Sequence, residues 1–145
     1  MLQAAQLVDP AFYLAAYPDV AQAWRGGQIQ SPLEHFMLRG RFEGRSPSIL
    51  FDPAFYLKQN PDVAAVIAAN PDLTGFDHYM GRGQLEERAP SHWFNPQKYL
   101  QTNPDVAAAI NRDRLTGAPL TKDSLTSIEH FIERGILEGR AWPAI

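Results

Sequence analysis

Apolar residues along this chain come in short blocks at helical spacing, and a capping residue followed by proline opens most of them. Phe12 and Tyr13 follow Asp9-Pro10, Phe55 and Tyr56 follow Asp52-Pro53, and Tyr99 follows Asn95-Pro96. Aspartate and asparagine favour the N-cap, and proline suits the first helical position, where a missing N–H costs nothing. A second block opens at Asn60-Pro61 and Asn103-Pro104, predicting helices from Val63 to about Ala69 and from Val106 to about Asn111. Tyr17-Pro18 stands at the same place in the first third of the chain, and tyrosine is the poorer cap. A third block starts near Ser31-Pro32 and carries Leu33, Phe36 and Met37 on one helix face. Gly40, Gly83 and Gly135 follow arginines and suit the left-handed residue that ends a helix. No run alternates as a half-buried strand would.

The blocks recur. Asp9-Pro10-Ala11-Phe12-Tyr13-Leu14 returns as Asp52-Pro53-Ala54-Phe55-Tyr56-Leu57 and as Asn95-Pro96-Gln97-Lys98-Tyr99-Leu100, in steps of 43 residues. Tyr17-Pro18-Asp19-Val20-Ala21 returns at the same spacing as Asn60-Pro61-Asp62-Val63-Ala64 and Asn103-Pro104-Asp105-Val106-Ala107. The third motif, Glu34-His35-Phe36 through Gly40 with Glu43-Gly44-Arg45, returns at Asp77-His78-Tyr79 with Glu86-Glu87-Arg88. It returns again at Glu129-His130-Phe131 with Glu138-Gly139-Arg140. His35 and His78 are 43 apart but His78 and His130 are 52 apart, so nine extra residues lie within 111–127. Three ordered motifs in three copies define a tandem repeat.

The expected fold is therefore all-α: three tandem repeats of 43 residues, three short helices each and about nine in all. The copies span 8–50, 51–93 and 94–140 of one domain, 1–145. Helices this short are unstable alone, so their aromatic faces must bury against one another and against the next copy, giving one compact helical array. Trp142, just past the last motif, suits a terminal cover over the final copy's core.

Composition narrows the function. Hydrophobic residues make up 45% and charged residues 20%, values of a globular chain. A net charge of −3, with Glu34 and Glu43 interleaved among Arg25, Arg39, Arg41 and Arg45, lacks the basic footprint of a nucleic-acid binder. There is no cysteine, which excludes disulfides, thiolate metal sites and thiol catalysis. No stretch has the roughly 20 apolar residues of a membrane span. Met1-Leu2-Gln3-Ala4-Ala5-Gln6 has no signal-peptide pattern. The lack of cysteine fits a reducing cytoplasm as well as an exported bacterial surface protein. The expectation is the cell surface or exterior, reached by a signal-less route or by an address outside this chain, with the cytoplasm as the alternative.

The order D-P-x-x-Y-L, N-P-D-V-A, H-F/Y-x-x-x-G and E-G-R resembles a repeat of roughly 40 residues in bacterial, mostly alphaproteobacterial, proteins. It occurs in secreted RTX-type exoproteins and beside glycosyltransferase domains of surface-polysaccharide systems. The resemblance covers Asp9 to Arg140 and implies an accessory module of the bacterial envelope, at the cell surface or secreted. Tyr17 (for Asn), Glu87 (for Gly) and the insertion depart from the pattern.

The recurring polar residues have structural explanations. Equivalent histidines in successive copies should lie roughly 10 Å apart, the packing distance of helices, whereas zinc ligands must converge to about 2 Å from one ion. The expected role of His35, His78 and His130 is a bond to a backbone group or cap in their own copy, with no metal and no cofactor. Asp19, Asp62 and Asp105 stand in the first turn of a helix, stabilised by its dipole. The planar forks of Arg45, Arg88 and Arg140 are expected to bond helix-end carbonyls or an acid of the next copy. No segment has an EF-hand pattern, a phosphate loop or a nucleophile elbow.

Candidate chemistry accordingly falls on residues that occur once. Trp24 and Trp93 are at helix-end and linker positions, where indoles form platforms for sugar rings. His92 precedes Trp93, Tyr17 departs from the asparagine of the other copies, and Arg112 and Arg114 lie in the insertion, read as an exposed loop with Asp113, Lys122 and Asp123. The expected function is a non-enzymatic binding module for polysaccharide or another envelope component. The alternative is a protein-interaction, scaffold or oligomerisation module. An enzyme would need a pocket lined by residues unique to one copy.

Overall fold

The computed structural model describes residues 1–115, 117, 119–121 and 123–145, apart from the side chain of Asp113. Lys122 lies outside the described residues. All regular elements among these are helical, and the only β pairing is two isolated bridges, Ser48 with Phe51 and Ser91 with Phe94. A short N-terminal helix, α1 (Ala4–Leu7), precedes α2 (Pro10–Ala16), α3 (Pro18–Arg25) and α4 (Pro32–His35). Then come α5 (Pro53–Gln59), α6 (Pro61–Ala68), α7 (Gly75–His78), α8 (Pro96–Thr102), α9 (Pro104–Leu115) and α10 (Ser127–His130). No helix among the described residues is long and apolar enough to cross a membrane.

The capping expected from sequence is present on α2, α5 and α8. Asp9 Oδ1 accepts from Phe12 N–H at 3.1 Å, Asp52 Oδ1 from Phe55 N–H at 3.1 Å and Asn95 Oδ1 from Lys98 N–H at 3.0 Å. Ser31, Thr74 and Thr126 cap α4, α7 and α10 in the same way. Asn60 does not cap α6 with its side chain. Its Nδ2 donates back to Tyr56 O at 2.7 Å, and Asn103 Nδ2 donates to Tyr99 O at 2.8 Å.

A further correction concerns the glycines. Helices α4, α7 and α10 do not stop at a left-handed glycine but widen into π-helical turns, Phe36–Gly40, Tyr79–Gly83 and Phe131–Gly135. Arg41 N–H reaches back five residues to Phe36 O at 2.9 Å, and Gln84 and Ile136 do the same to Tyr79 and Phe131. The reason for glycine is space. A β-carbon on Gly40 or Gly83 would overlap the hydroxyl of Tyr13 or Tyr56, and one on Gly135 would meet the Tyr99 hydroxyl at 2.5 Å. The left-handed residues come four positions later, at Gly44 (φ 71°), Glu87 (φ 52°) and Gly139 (φ 69°).

The core is aromatic. Tyr13, Tyr56 and Tyr99 are fully buried and meet Phe36, Tyr79 and Phe131 edge-on, at centroid separations of 5.8, 5.4 and 5.4 Å. Phe36 continues to Phe76 at 4.8 Å, and Phe51 packs on both Phe76 and Tyr79. Residues 1–8, which fall outside the motifs, belong to this core: Leu2, Leu7 and Val8 are buried. Gln84 clamps Leu2, accepting from its N–H at 2.9 Å, while Gln6 donates to Glu133 at 3.0 Å. The segment thus ties together parts of the chain far apart in sequence.

The connections after the π turns close on the helices that began each motif copy. Asp9 N–H donates to Pro47 O at 3.0 Å, Asp52 N–H to Pro90 O at 3.0 Å and Asn95 N–H to Pro143 O at 2.8 Å. Trp142 meets buried Phe131 edge-on at 4.9 Å, the covering position expected for it. The insertion does not start as a loop: residues 111–115 lengthen α9 by another turn.

Candidate functional site

Most of the tempting polar groups serve internal bonds. His35, His78 and His130 meet the buried hydroxyls of Tyr13, Tyr56 and Tyr99 through Nδ1, at 3.0, 2.9 and 2.9 Å. Burial pushes the Tyr13 phenol up to about 12 and raises those of Tyr56 and Tyr99, so each hydroxyl stays protonated. Burial also lowers the values of His78 and His130, which favours the neutral imidazole. Among the described residues no group of three or more histidine or carboxylate side chains could hold a metal ion.

The arginines of the third motif turn back into their own copy rather than to the next. Arg45 grips Asp19 with both terminal nitrogens, at 2.9 and 2.7 Å, and holds Glu43 through Nε at 2.6 Å. Arg88 does the same to Asp62 and Glu86, and Arg140 to Asp105 and Glu138. Bonding to the guanidinium holds the carboxyls of Asp19 and Asp105 down to about 2 and lowers that of Asp62. Arg88 and Arg140 add a bond to Asn60 or Asn103 Oδ1, each at 2.7 Å. Tyr17 fills that place in the first copy: the Arg45 guanidinium lies 4.8 Å over its ring, and its hydroxyl accepts from Ser46 N–H at 2.7 Å. Its position is therefore structural.

Glu87 is a second departure that the fold absorbs. It is 7% exposed and accepts from Ser127 N–H at 3.1 Å and from the Ser127 hydroxyl. Arg114 of the insertion reaches it at 3.4 Å and also donates to Leu85 O at 2.9 Å. Burial raises the Glu87 carboxyl, against the lowering effect of Ser127 and Arg114. Ser127 stands where the other copies have Pro32 and Gly75, so the signal for this pair was two coincident departures from the pattern. Arg112 is exposed at the end of α9, and Trp24 is exposed on the last turn of α3.

Trp93 and His92 have a different setting. Trp93 is 54% exposed beside a cleft of about 170 Å³ lined also by Phe12, Ser46, Asp52, Ser91 and His92. The His92 ring packs tilted against buried Phe55, centroids 4.3 Å apart, and the backbone N–H of Trp93 donates to Ser91 Oγ at 3.2 Å, which fixes the main chain that carries the indole. Ser48 and Ile49 complete this cleft and also line a larger, mostly apolar groove of about 510 Å³, walled by Leu7, Leu50, Ile132, Ile136 and Trp142. Motif reasoning missed this groove because its walls come from the N-terminal segment, a linker and the last π turn. Trp24, Tyr17, Arg112 and Arg114 line neither cavity. No protein-family model, no curated protein and no solved structure matches the chain.

Proposed function

We propose that this chain is a non-enzymatic glycan-binding module of a bacterial surface or secreted protein, built of three structural units that coincide with the three motif copies and pack around residues 1–8. Trp93 and His92 form its binding platform. The single observation that carries this reading is a half-exposed indole beside a cleft with hydroxyl, carboxylate and imidazole groups. A sugar ring needs that pairing, an aromatic face for its C–H groups and polar partners for its hydroxyls. The recurring histidines, the recurring acids and Arg45, Arg88 and Arg140 are engaged in holding the fold, whereas Arg39, Arg82 and Arg134 recur as exposed side chains that line neither cavity. The setting at the cell envelope rests on the resemblance of the motif order. A glycan array probed with the intact chain tests the reading: binding lost in Trp93→Ala and kept in Trp24→Ala supports it, and no binding to any envelope glycan refutes it.

A second reading, a scaffold or protein-interaction module, draws on exposed Leu38, Phe42 and Leu137 on and after the π turns. Light scattering over a concentration series separates the two, because the scaffold predicts self-association or a protein partner with no dependence on sugar.

A further inference from the structure

The polar cleft and the apolar groove are neighbours, with Ser48 and Ile49 as the wall between them that both share. Their chemistry differs sharply. At the Trp93 end stand serine hydroxyls, Asp52 and His92. At the other end the walls are Leu7, Val8, Leu50, Ile132 and Ile136, closed by Trp142, with Gln6 and Asp9 at the edge. Ile49, Ile136 and Trp142 are 43%, 45% and 44% exposed, so a row of large apolar side chains faces solvent on this side. A volume of about 510 Å³ falls within the range of sites that take organic ligands. A bare oligosaccharide would leave that row unmatched, because its hydroxyls would be desolvated against side chains that cannot bond them.

We propose that the ligand is a glycolipid-type amphiphile: a sugar headgroup seated against Trp93 and His92, with an alkyl or acyl chain along Ile49 and Ile136 towards Trp142. This rests on the glycan reading of the Trp93 cleft and adds the chemical class of the ligand. The headgroup is neutral or cationic. Among the described residues neither wall includes a lysine or arginine, while Asp9 and Asp52 stand in the two parts, so an anionic head would meet carboxylates without a lysine or arginine counter-charge. Buried aromatics hold both ends open: His92 rests on Phe55 and Trp142 on Phe131.

Calorimetry on the intact chain with submicellar octyl glucoside, octyl galactoside and decyl maltoside, the matching free sugars, and decanoate tests the idea. At least one alkyl glycoside is expected to bind one-to-one, at least about tenfold tighter than its free sugar, because several methylenes leave water. Decanoate is expected to bind at least about tenfold more weakly than that glycoside, since its carboxylate lacks a partner. Ile136→Lys, at an exposed position whose fold is checked by circular dichroism, should abolish the gain from the chain and leave free-sugar binding unchanged. Trp93→Ala should weaken the glycoside and the sugar alike. Sugar binding with no gain from the chain overturns the inference and leaves the glycan reading standing, as does a positive glycan array with no alkyl glycoside bound. Decanoate binding as tightly as the glycoside overturns the composite site. Binding of neither sugars nor glycosides, with an array that is also blank, removes both.

Discussion

Gly83 and Glu87 lie four residues apart in one turn, yet they answer to different demands. Gly83 has counterparts at Gly40 and Gly135, and all three are glycine because a tyrosine hydroxyl occupies the space of a β-carbon. Glu87 has counterparts at Gly44 and Gly139, where only the left-handed backbone asks for glycine, and it departs from them to reach Ser127 across the fold. What recurs is tied to internal construction, apart from Arg39, Arg82 and Arg134, which recur and face solvent. What occurs once joins distant segments or faces solvent.

The first half of that comparison breaks most visibly at Gly83. Gly83→Ala forces a β-carbon into the Tyr56 hydroxyl and the Tyr79 ring, and it should lower stability by about 3 kcal/mol or more in urea unfolding. Gly81→Ala, in the same π turn with nothing near its β-carbon, should be neutral or slightly stabilising. A Tyr56→Phe second change should recover part of the Gly83→Ala loss, because it removes the colliding oxygen. Equal effects at 81 and 83 would show that the π turn, not the tyrosine, demands glycine.

Next in size is the segment outside the motifs. Leu7 is buried among residues of separate regions, and Leu7→Ala should cost about 2.5 kcal/mol, as for other core leucines. An effect below about 1 kcal/mol would mean that residues 1–8 lie on the fold without supporting it.

These two predictions mark what could be read from the residues alone. Asp9, Asp52 and Asn95 as caps were legible because Asp-Pro and Asn-Pro act within one turn. The roles of Asn60 and Asn103 were not, because an asparagine before proline can either cap forwards or bond backwards. An arginine 28 residues later in the one case and 37 in the other meets its oxygen. Gly40 read as a helix stop because nothing local shows that Tyr13, from another helix, lies over it. Trp93 and His92 stood out as residues outside the motifs and Trp142 as a cover for the last copy, whereas Ile49 and Ile136 gained meaning only when three distant segments met.

Glu87 sharpens the second half of the comparison through pH. Its carboxyl is raised in the fold by burial, so the folded state holds the proton more tightly than the unfolded chain. Its contribution is complete below the usual value of 4.5 and is lost as pH rises through the raised one. Glu87→Gln should remove that slope and change stability by about 1 to 2 kcal/mol through its altered bonds to Ser127. The recurring groups carry the opposite slope. Asp19, Asp62 and Asp105 are lowered by their arginines, so their contribution holds above the usual 3.8 and fades towards about 2 for Asp19 and Asp105. His78 and His130 are lowered by burial, so the fold loses stability as pH falls below 6.5 through their folded values. Stability against pH should therefore drop on the acid side in two steps in the wild type. Arg88→Met should remove the share of Asp62 from the lower step, and a curve unchanged by that substitution would rule out the Arg88–Asp62 pair as a source of it.

The smallest effect should come from Tyr17, where the first copy departs from the others without leaving its place. The ring lies under Arg45, meets Tyr13 edge-on at 4.9 Å, and its hydroxyl accepts from Ser46 N–H. Tyr17→Asn would lose all three. It would gain what Asn60 and Asn103 have: a donor to the carbonyl four residues back, here Tyr13 O, and an oxygen for the arginine, here Arg45. Tyr17 is half-buried, so little apolar area is lost, and the new bonds contribute about 1 kcal/mol each against those removed. The net change in unfolding free energy should fall within about 0.5 kcal/mol, with glycan binding unaffected because Tyr17 lines neither cleft. A loss above about 2 kcal/mol would mean that the first copy is built on a different joint from the other two, and that the equivalence of the three ends at the level of sequence.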